Sequence, residues 1–251
     1  MRQFYLHDGL ELRRLLRNAK ALYGVTTSVD VALPDESLGS SSLDWRTILR
    51  NCLPYVDIFA PSLAELVFML DRPTFERLCV ETGDGPAALE ALLDAPRDPG
   101  SDGPVAGRQE TLADWVQGAM NEVLEMGCAV VLLKLGERGA QIRTTSDQFR
   151  LSAAIFGHAA PSCTGAWVQD WLGVVAVVPA FKPRQVRGTT GAGDASVGGF
   201  LSSMLRGLGA VDCARMACAT GAASVEGHSC ADEIPAWEEL RARVQKGWPT
   251  L

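Results

Sequence analysis

The sequence predicts a three-layer α/β/α fold built on a mostly parallel sheet, and three observations carry that expectation. Apolar stripes at helical spacing alternate along the chain with short β-branched or apolar runs, the order that βαβ crossovers produce. One of those runs, Ala129 to Leu135 (AVVLLKL), is apolar nearly throughout, as a strand buried on both faces of a parallel sheet must be. The 251 residues are 47% hydrophobic and 21% charged with mean hydropathy +0.07, the balance of a globular chain long enough to bury most of its apolar surface. The expectation is a single α/β domain over residues 1–251.

The elements follow in order. Leu12, Leu15, Leu16, Ala19, Leu22 and Tyr23 recur at helical spacing, and Val25 to Val31 reads as a strand ending near Pro34. A helix from Leu43 to Leu53 leads into the short apolar run Val56 to Ala60, which Pro61 stops before a helix from Leu63 to Leu70. Nine of the thirty residues from Glu81 to Glu110 are Gly or Pro, so this stretch reads as a flexible surface insertion. Next comes the stripe Leu112, Trp115, Val116, Ala119, Met120, Val123 and Leu124, opened by Thr111 with Asp114 three residues on and closed by Gly127. After the strand at 129–135, GERGAQIRT reads as a turn and a return strand, while Leu151 to Trp171 gives no clear pattern. Gly173 to Val178 and the brief Gln185 to Arg187 read as strands, followed by helices over Ala195–Leu208, Val211–Val225 and about Ala236–Val244.

Charge and composition exclude several functions. A net charge of −7 with pI about 5.0 and no Lys/Arg cluster gives no electrostatic attraction for nucleic acid. No apolar run approaches the roughly 18 residues of a membrane span, and the N-terminal residues lack a signal-peptide core, so a cytoplasmic setting is expected. Seven cysteines without a CxxC pair read as reduced thiols, and three histidines at no ligand spacing offer no structural metal site.

In an α/β sheet ligands bind at strand-to-helix junctions, and one junction, RGTTGAGDASVGGF (Arg187 to Phe200), stands apart. Gly188, Gly191 and Gly193 allow close backbone approach, and the helix that follows offers unpaired N–H groups and a positive dipole end to an anion such as phosphate. Asp194 would repel that anion unless it serves another purpose, and taking the proton from an acceptor hydroxyl is one that fits. A plain helix cap is the other reading of Asp194. No GxxxxGK[ST] occurs, and GxxGxG is not the dinucleotide order GxGxxG, which counts against a nicotinamide oxidoreductase.

GTTGAGDASVGGF resembles the second signature of the ribokinase-like, or PfkB-type, carbohydrate kinases, DTxGAGD followed by a small-residue helix. The resemblance implies that Gly191, Ala192 and Gly193 form the anion hole for the transferred phosphate, with Asp194 the base deprotonating a sugar hydroxyl. VVLLKLGERGA (Val130 to Ala140) is similar to the family's strand-turn element at the ATP phosphates, which makes Lys134, Gly136 and Gly139 nucleotide contacts, together with Thr189 and Thr190. VDIFAPSLAEL (Val56 to Leu66) looks like the segment of the Asn-x-x-Glu motif, where Glu65 would help organise Mg²⁺. Read without the family, Lys134 is a surface lysine and Glu65 a helix-surface charge. The resemblance thus implies ATP and Mg²⁺ as cofactors and a sugar or sugar-like alcohol as substrate. Downstream, Ala214 to Ser224 and GHSCADEIPAW (Gly227 to Trp237) resemble the adenine-side helix and closing loop, or simply allow close helix packing.

Two residues depart from the pattern: Gly188 stands where the family commonly has Asp, and Ser62 where it has Asn. The family's N-terminal strands, Gly-Gly sugar signature and β-sheet lid have no counterpart, so the resemblance covers the C-terminal portion only. Missing strands would leave an edge or apolar face for another chain, a homodimer being the simplest case. The alternative to a working kinase is a catalytically impaired nucleotide-binding or scaffold relative.

Overall fold

A computed structural model describes residues 7–33, 43–93, 111–156, 168–228 and 234–251. Its five strands are β1 (Ser28–Val29), β2 (Ile58–Phe59), β3 (Val130–Lys134), β4 (Ala140–Thr144) and β5 (Val175–Val178), in the order β1-β2-β3-β4-β5. With ten α-helices among the described residues this is a three-layer α/β fold. β1–β2 and β2–β3 pair in parallel whereas β4–β5 is antiparallel, so the sheet is mixed and the mostly parallel expectation is met in part. The reason is local. Gly136 (φ +58°) and Gly139 (φ +94°) bracket a 3₁₀ turn that reverses the chain after β3, in place of a helical crossover.

The described residues group into two compact units, residues 1–131 with 156–159, and residues 132–155 with 160–251. In the first unit, α1 (Leu10–Tyr23) precedes β1, α2 (Trp45–Cys52) precedes β2, and α3 (Leu63–Leu70), α4 (Arg72–Thr82), α5 (Gly85–Leu92) and α6 (Leu112–Glu125) precede β3. α3 and α6 start where the sequence says they should, each opened by a reciprocal capping box, Ser62 with Glu65 and Thr111 with Asp114. Ile58, Phe59, Leu66 and Met120 are fully buried, and Trp45, Phe68 and Phe75 form successive edge-to-face contacts at 6.0 and 5.4 Å. The stripe expected on α1 is buried only at Leu16; Leu15, Leu22 and Tyr23 are exposed.

The expected insertion at 81–110 is corrected over its first part. Asp84 caps α5 through Ala87 N–H, Gly85 and Pro86 fill the first turn, and Leu89 is fully buried. Proline and a small residue at a helix start mimic a linker in composition, because the first turn does not need their N–H groups. Residues 94–110 lie outside the described residues.

In the second unit, α7 (Gln148–Phe156) occupies part of the stretch without a clear pattern, and residues 157–167 are outside the description. α8 (Ala192–Met204), α9 (Ala210–Ser224) and α10 (Trp237–Gln245) match the three expected helices, but α8 begins three residues early, bringing Asp194 inside its first turn. Gln185 to Arg187 form no strand, since Arg187 N–H is used on Val225 O at 2.8 Å, beyond the end of α9. Trp171 meets Phe200 edge-on at 5.9 Å and donates to Leu208 O at 3.1 Å.

Arg243 makes a two-pronged contact with Glu226 (2.9 and 2.6 Å) while its guanidinium lies 3.3 Å from the centroid of the Trp248 ring, and Arg184 N–H adds 2.7 Å. Burial raises the Glu226 pKa, but the hydrogen bonds from Arg243 and Arg184 and their charges outweigh it, holding the carboxyl below its ordinary 4.5. A depressed carboxyl stabilises the fold above the unfolded value and loses that contribution as pH falls through the folded one. Urea unfolding should therefore show Arg243→Gln less stable by about 1–2 kcal/mol at pH 7, with the deficit shrinking below pH 4.5. A deficit independent of pH would refute the ion pair as its source.

Burial also governs the thiols. It raises Cys52 to about 11 and Cys218 to about 12, and Cys213 is raised by burial and by the Asp212 charge. At pH 8 these three cysteines should resist iodoacetamide in the folded protein and react fully in guanidinium, read by peptide mass spectrometry. Prompt labelling of any of them under native conditions would contradict the packing.

Candidate functional site

The second unit gathers most of the expected site residues around the start of α8. Gly191, in the left-handed region at φ +81°, turns the chain into the helix without any side-chain cap, and Ala195 N–H closes the first helical turn on Gly191 O at 2.9 Å. Ala192 N–H reaches Thr189 O at 3.2 Å, so the Thr189–Thr190 segment is folded against the turn; both threonines are exposed. Gly193 and Asp194 follow, their N–H groups lying in the helix turn that has no intrahelical acceptor. Asp194 is exposed.

Lys134 ends β3 beside the same turn. A Cβ added to Gly193 would lie 3.3 Å from Lys134 Nζ, so the ammonium sits close over the Gly193 backbone. A cation at a helix N-terminus adds positive charge to positive potential, an arrangement that favours an anion between them. Gly139 is fixed by packing: its Cβ would stand 2.0 Å from Val178 O and 2.5 Å from Ala180 N, where β4 begins beside the end of β5. Gly136 provides the other positive-φ corner of that turn.

Glu65 belongs to the first unit. Its Oε2 accepts from Ser62 N–H at 2.6 Å while Ser62 Oγ accepts from Glu65 N–H at 3.3 Å. The two positions compared with an Asn-x-x-Glu motif are here the two halves of a helix cap. Among the described residues no group of three His, Cys, Asp or Glu could hold a metal ion, and no helix is long and apolar enough to cross a membrane.

Sequence reasoning did not single out the partners that seat α8. A Cβ at Gly199 would stand 2.2 Å from Thr220 Oγ1 and 2.9 Å from Met216 O, and one at Gly221 would stand 2.4 Å from Ser196 Oγ. Each helix thus offers a glycine to a hydroxyl of the other. The small-residue runs in GDASVGG and CATGAAS were the available signal, but spacing alone does not say which glycine meets which hydroxyl. Gly188 has open space around it, with nothing within 4 Å of an added Cβ.

The pattern of the pfkB family carbohydrate kinases matches residues 162–237. The nucleoside kinase of Methanocaldococcus jannaschii is 33% identical over 69 residues, 28% of this chain and 23% of that protein. Its solved structure is similar at TM-score 0.51 and 20% identity, over 92% of this chain and 52% of that one. An Escherichia coli protein described as ribokinase II, in complex with ATP and Mg²⁺, gives 0.56 and 19%, over 94% and 53%. The ribokinase of Arabidopsis thaliana, complexed with ribose and ATP, gives 0.53 and 17%, over 94% and 52%. The chain spans about half the length of these solved structures. Residues 162–237 therefore match the pfkB family carbohydrate kinase pattern, with the glycine turn and Asp194 inside the matched segment, and the chain has a ribokinase-like fold.

Proposed function

We propose that this chain transfers the terminal phosphoryl group of ATP to a hydroxyl of a sugar or sugar-like alcohol in the cytoplasm. The observation that carries the reading is the convergence of Lys134 and the uncapped start of α8 on one point, with Asp194 in the same helical turn. The Gly191–Gly193 backbone offers N–H groups to the transferred phosphate, and Lys134 neutralises charge on the nucleotide, assisted by the Gly136–Gly139 turn and by Thr189 and Thr190. Asp194 accepts the hydroxyl proton as the oxygen attacks phosphorus.

The residues fit the phosphates of ATP, since helix amides and an ammonium are the donor set a polyanion needs. For Mg²⁺ the resemblance offers Glu65, whose Oε2 also accepts from Ser62 N–H. A magnesium ion would rest chiefly on phosphate oxygens and water, its common ligands beside nucleotides. The E. coli neighbour with ATP and Mg²⁺ and the Arabidopsis ribokinase with ribose support the choice of cofactors and of a sugar acceptor.

A second reading is nucleotide binding without transfer, in which Lys134 and the start of α8 hold phosphate and Asp194 takes no proton. Thermal unfolding with MgATP, with NAD as control, tests the nucleotide site; ligand at about 100 Kd adds roughly 2.7 kcal/mol. Stabilisation by MgATP but not NAD, followed by ADP formation with ribose or a panel of sugars, is the expected result. Stabilisation without transfer to any sugar would establish the second reading, and no stabilisation would refute both.

A further inference from the structure

We infer that Ser196 is a positioning residue for the phosphate-binding turn, holding the peptide whose N–H is the Gly193 donor; this rests on the kinase reading above. Ser196 Oγ donates to Ala192 O at 2.8 Å. That carbonyl and the Gly193 N–H belong to one planar peptide, so a bond that fixes the oxygen also fixes the direction of the N–H. Drawing electron density toward the carbonyl also makes the N–H a stronger donor.

Serine bonds to the carbonyl four residues back are common in helices. Two features set this one apart. It acts on the first residue of α8, in the turn whose outward N–H groups meet no side-chain cap. The hydroxyl is also walled in from α9: a Cβ on Gly221 would lie 2.4 Å from Ser196 Oγ but 3.4 Å from Ala192 O and 3.7 Å from Ser196 Cβ. Glycine at 221 therefore leaves room for the hydroxyl alone, and the smallest side chain there would expel it while the backbone could stay.

The test uses the full chain, Ser196→Ala, Gly221→Ala and the double variant. ADP release with ribose as acceptor should fall about tenfold in kcat for Ser196→Ala, short of the 10²–10³ that follows outright loss of a donor. KM for ribose and the urea midpoint should stay near wild type. Gly221→Ala should lose as much, and the double variant no more, because both act through one hydroxyl. Ser196→Ala alone decides the matter if Gly221→Ala does not fold. A kcat within twofold of wild type for Ser196→Ala, or losses that multiply in the double variant, would overturn the inference. If the wild type transfers phosphate to no sugar, the kinase reading falls and binding of inorganic tripolyphosphate decides this one. A roughly tenfold weaker Kd in Ser196→Ala would sustain it, and an equal Kd would end it.

Discussion

Asp194→Asn should reduce single-turnover phosphoryl transfer by about 10²–10⁴, the range attributable to a positioned general base. The amide has nearly the shape of the carboxylate but accepts no proton at neutral pH. Nucleotide affinity should move the other way. A carboxylate in the first turn of α8, beside Gly193 and the Lys134 ammonium, repels the phosphates those groups attract. Removing its charge should leave MgATP binding unchanged or a few-fold tighter. The fold should lose little, because Asp194 is exposed and caps nothing, so only its dipole interaction, of about 0.3–1 kcal/mol, is at risk. Falling kcat with preserved or improved nucleotide Kd is therefore the signature of the base. Turnover at the wild-type rate would remove Asp194 from the chemistry, and lost affinity would mean that it organises the nucleotide instead.

That prediction could be written from the sequence because the features behind it are local. Three glycines before a carboxylate at a helix start specify a turn without reference to the rest of the chain. The capping boxes at Ser62–Glu65 and Thr111–Asp114 are equally local, and both helices begin where those residues place them. Local grammar misleads where one residue type serves two purposes. Gly85 and Pro86 punctuate loops and also open helices, and only the burial of Leu89, a tertiary fact, distinguishes α5 from a linker. Gln185 to Arg187 has the composition of a strand, but Arg187 N–H is committed to Val225, distant in sequence. The same limit hid Ser196 and Gly221, which matter to each other only because α9 lies against α8. Glu65 reads both as a metal organiser and as a cap, and its bond to the Ser62 amide shows the cap without excluding the other role.

The largest stability effect should come from a residue outside the candidate site. Asp57 precedes β2 with its side chain wholly inaccessible, and Oδ2 accepts from Thr27 N–H at 2.8 Å, Thr27 Oγ1 at 3.1 Å and Lys20 Nζ. Its backbone is equally engaged. Asp57 N–H donates to Thr27 O at 3.0 Å, and Asp57 O accepts from Ala129 and Val130 N–H at 3.1 and 2.9 Å, which ties the starts of β1, β2 and β3 together. Asp57→Ala would strand the Thr27 N–H, while Thr27 Oγ1 keeps Tyr55 O at 2.7 Å, and leave the Lys20 ammonium, 23% exposed, without its partner; breaking such a pair costs about 3–5 kcal/mol. Lys20→Met should cost less, about 1–2 kcal/mol, because the carboxylate keeps the Thr27 N–H. Asp57→Asn should fall between, since the amide oxygen can still accept from Thr27 while the charge is gone. Urea midpoints should therefore rise in the order Asp57→Ala, Asp57→Asn, Lys20→Met. A loss under about 1 kcal/mol for Asp57→Ala would mean that water replaces the carboxylate and that the strand starts are held by their backbone bonds alone.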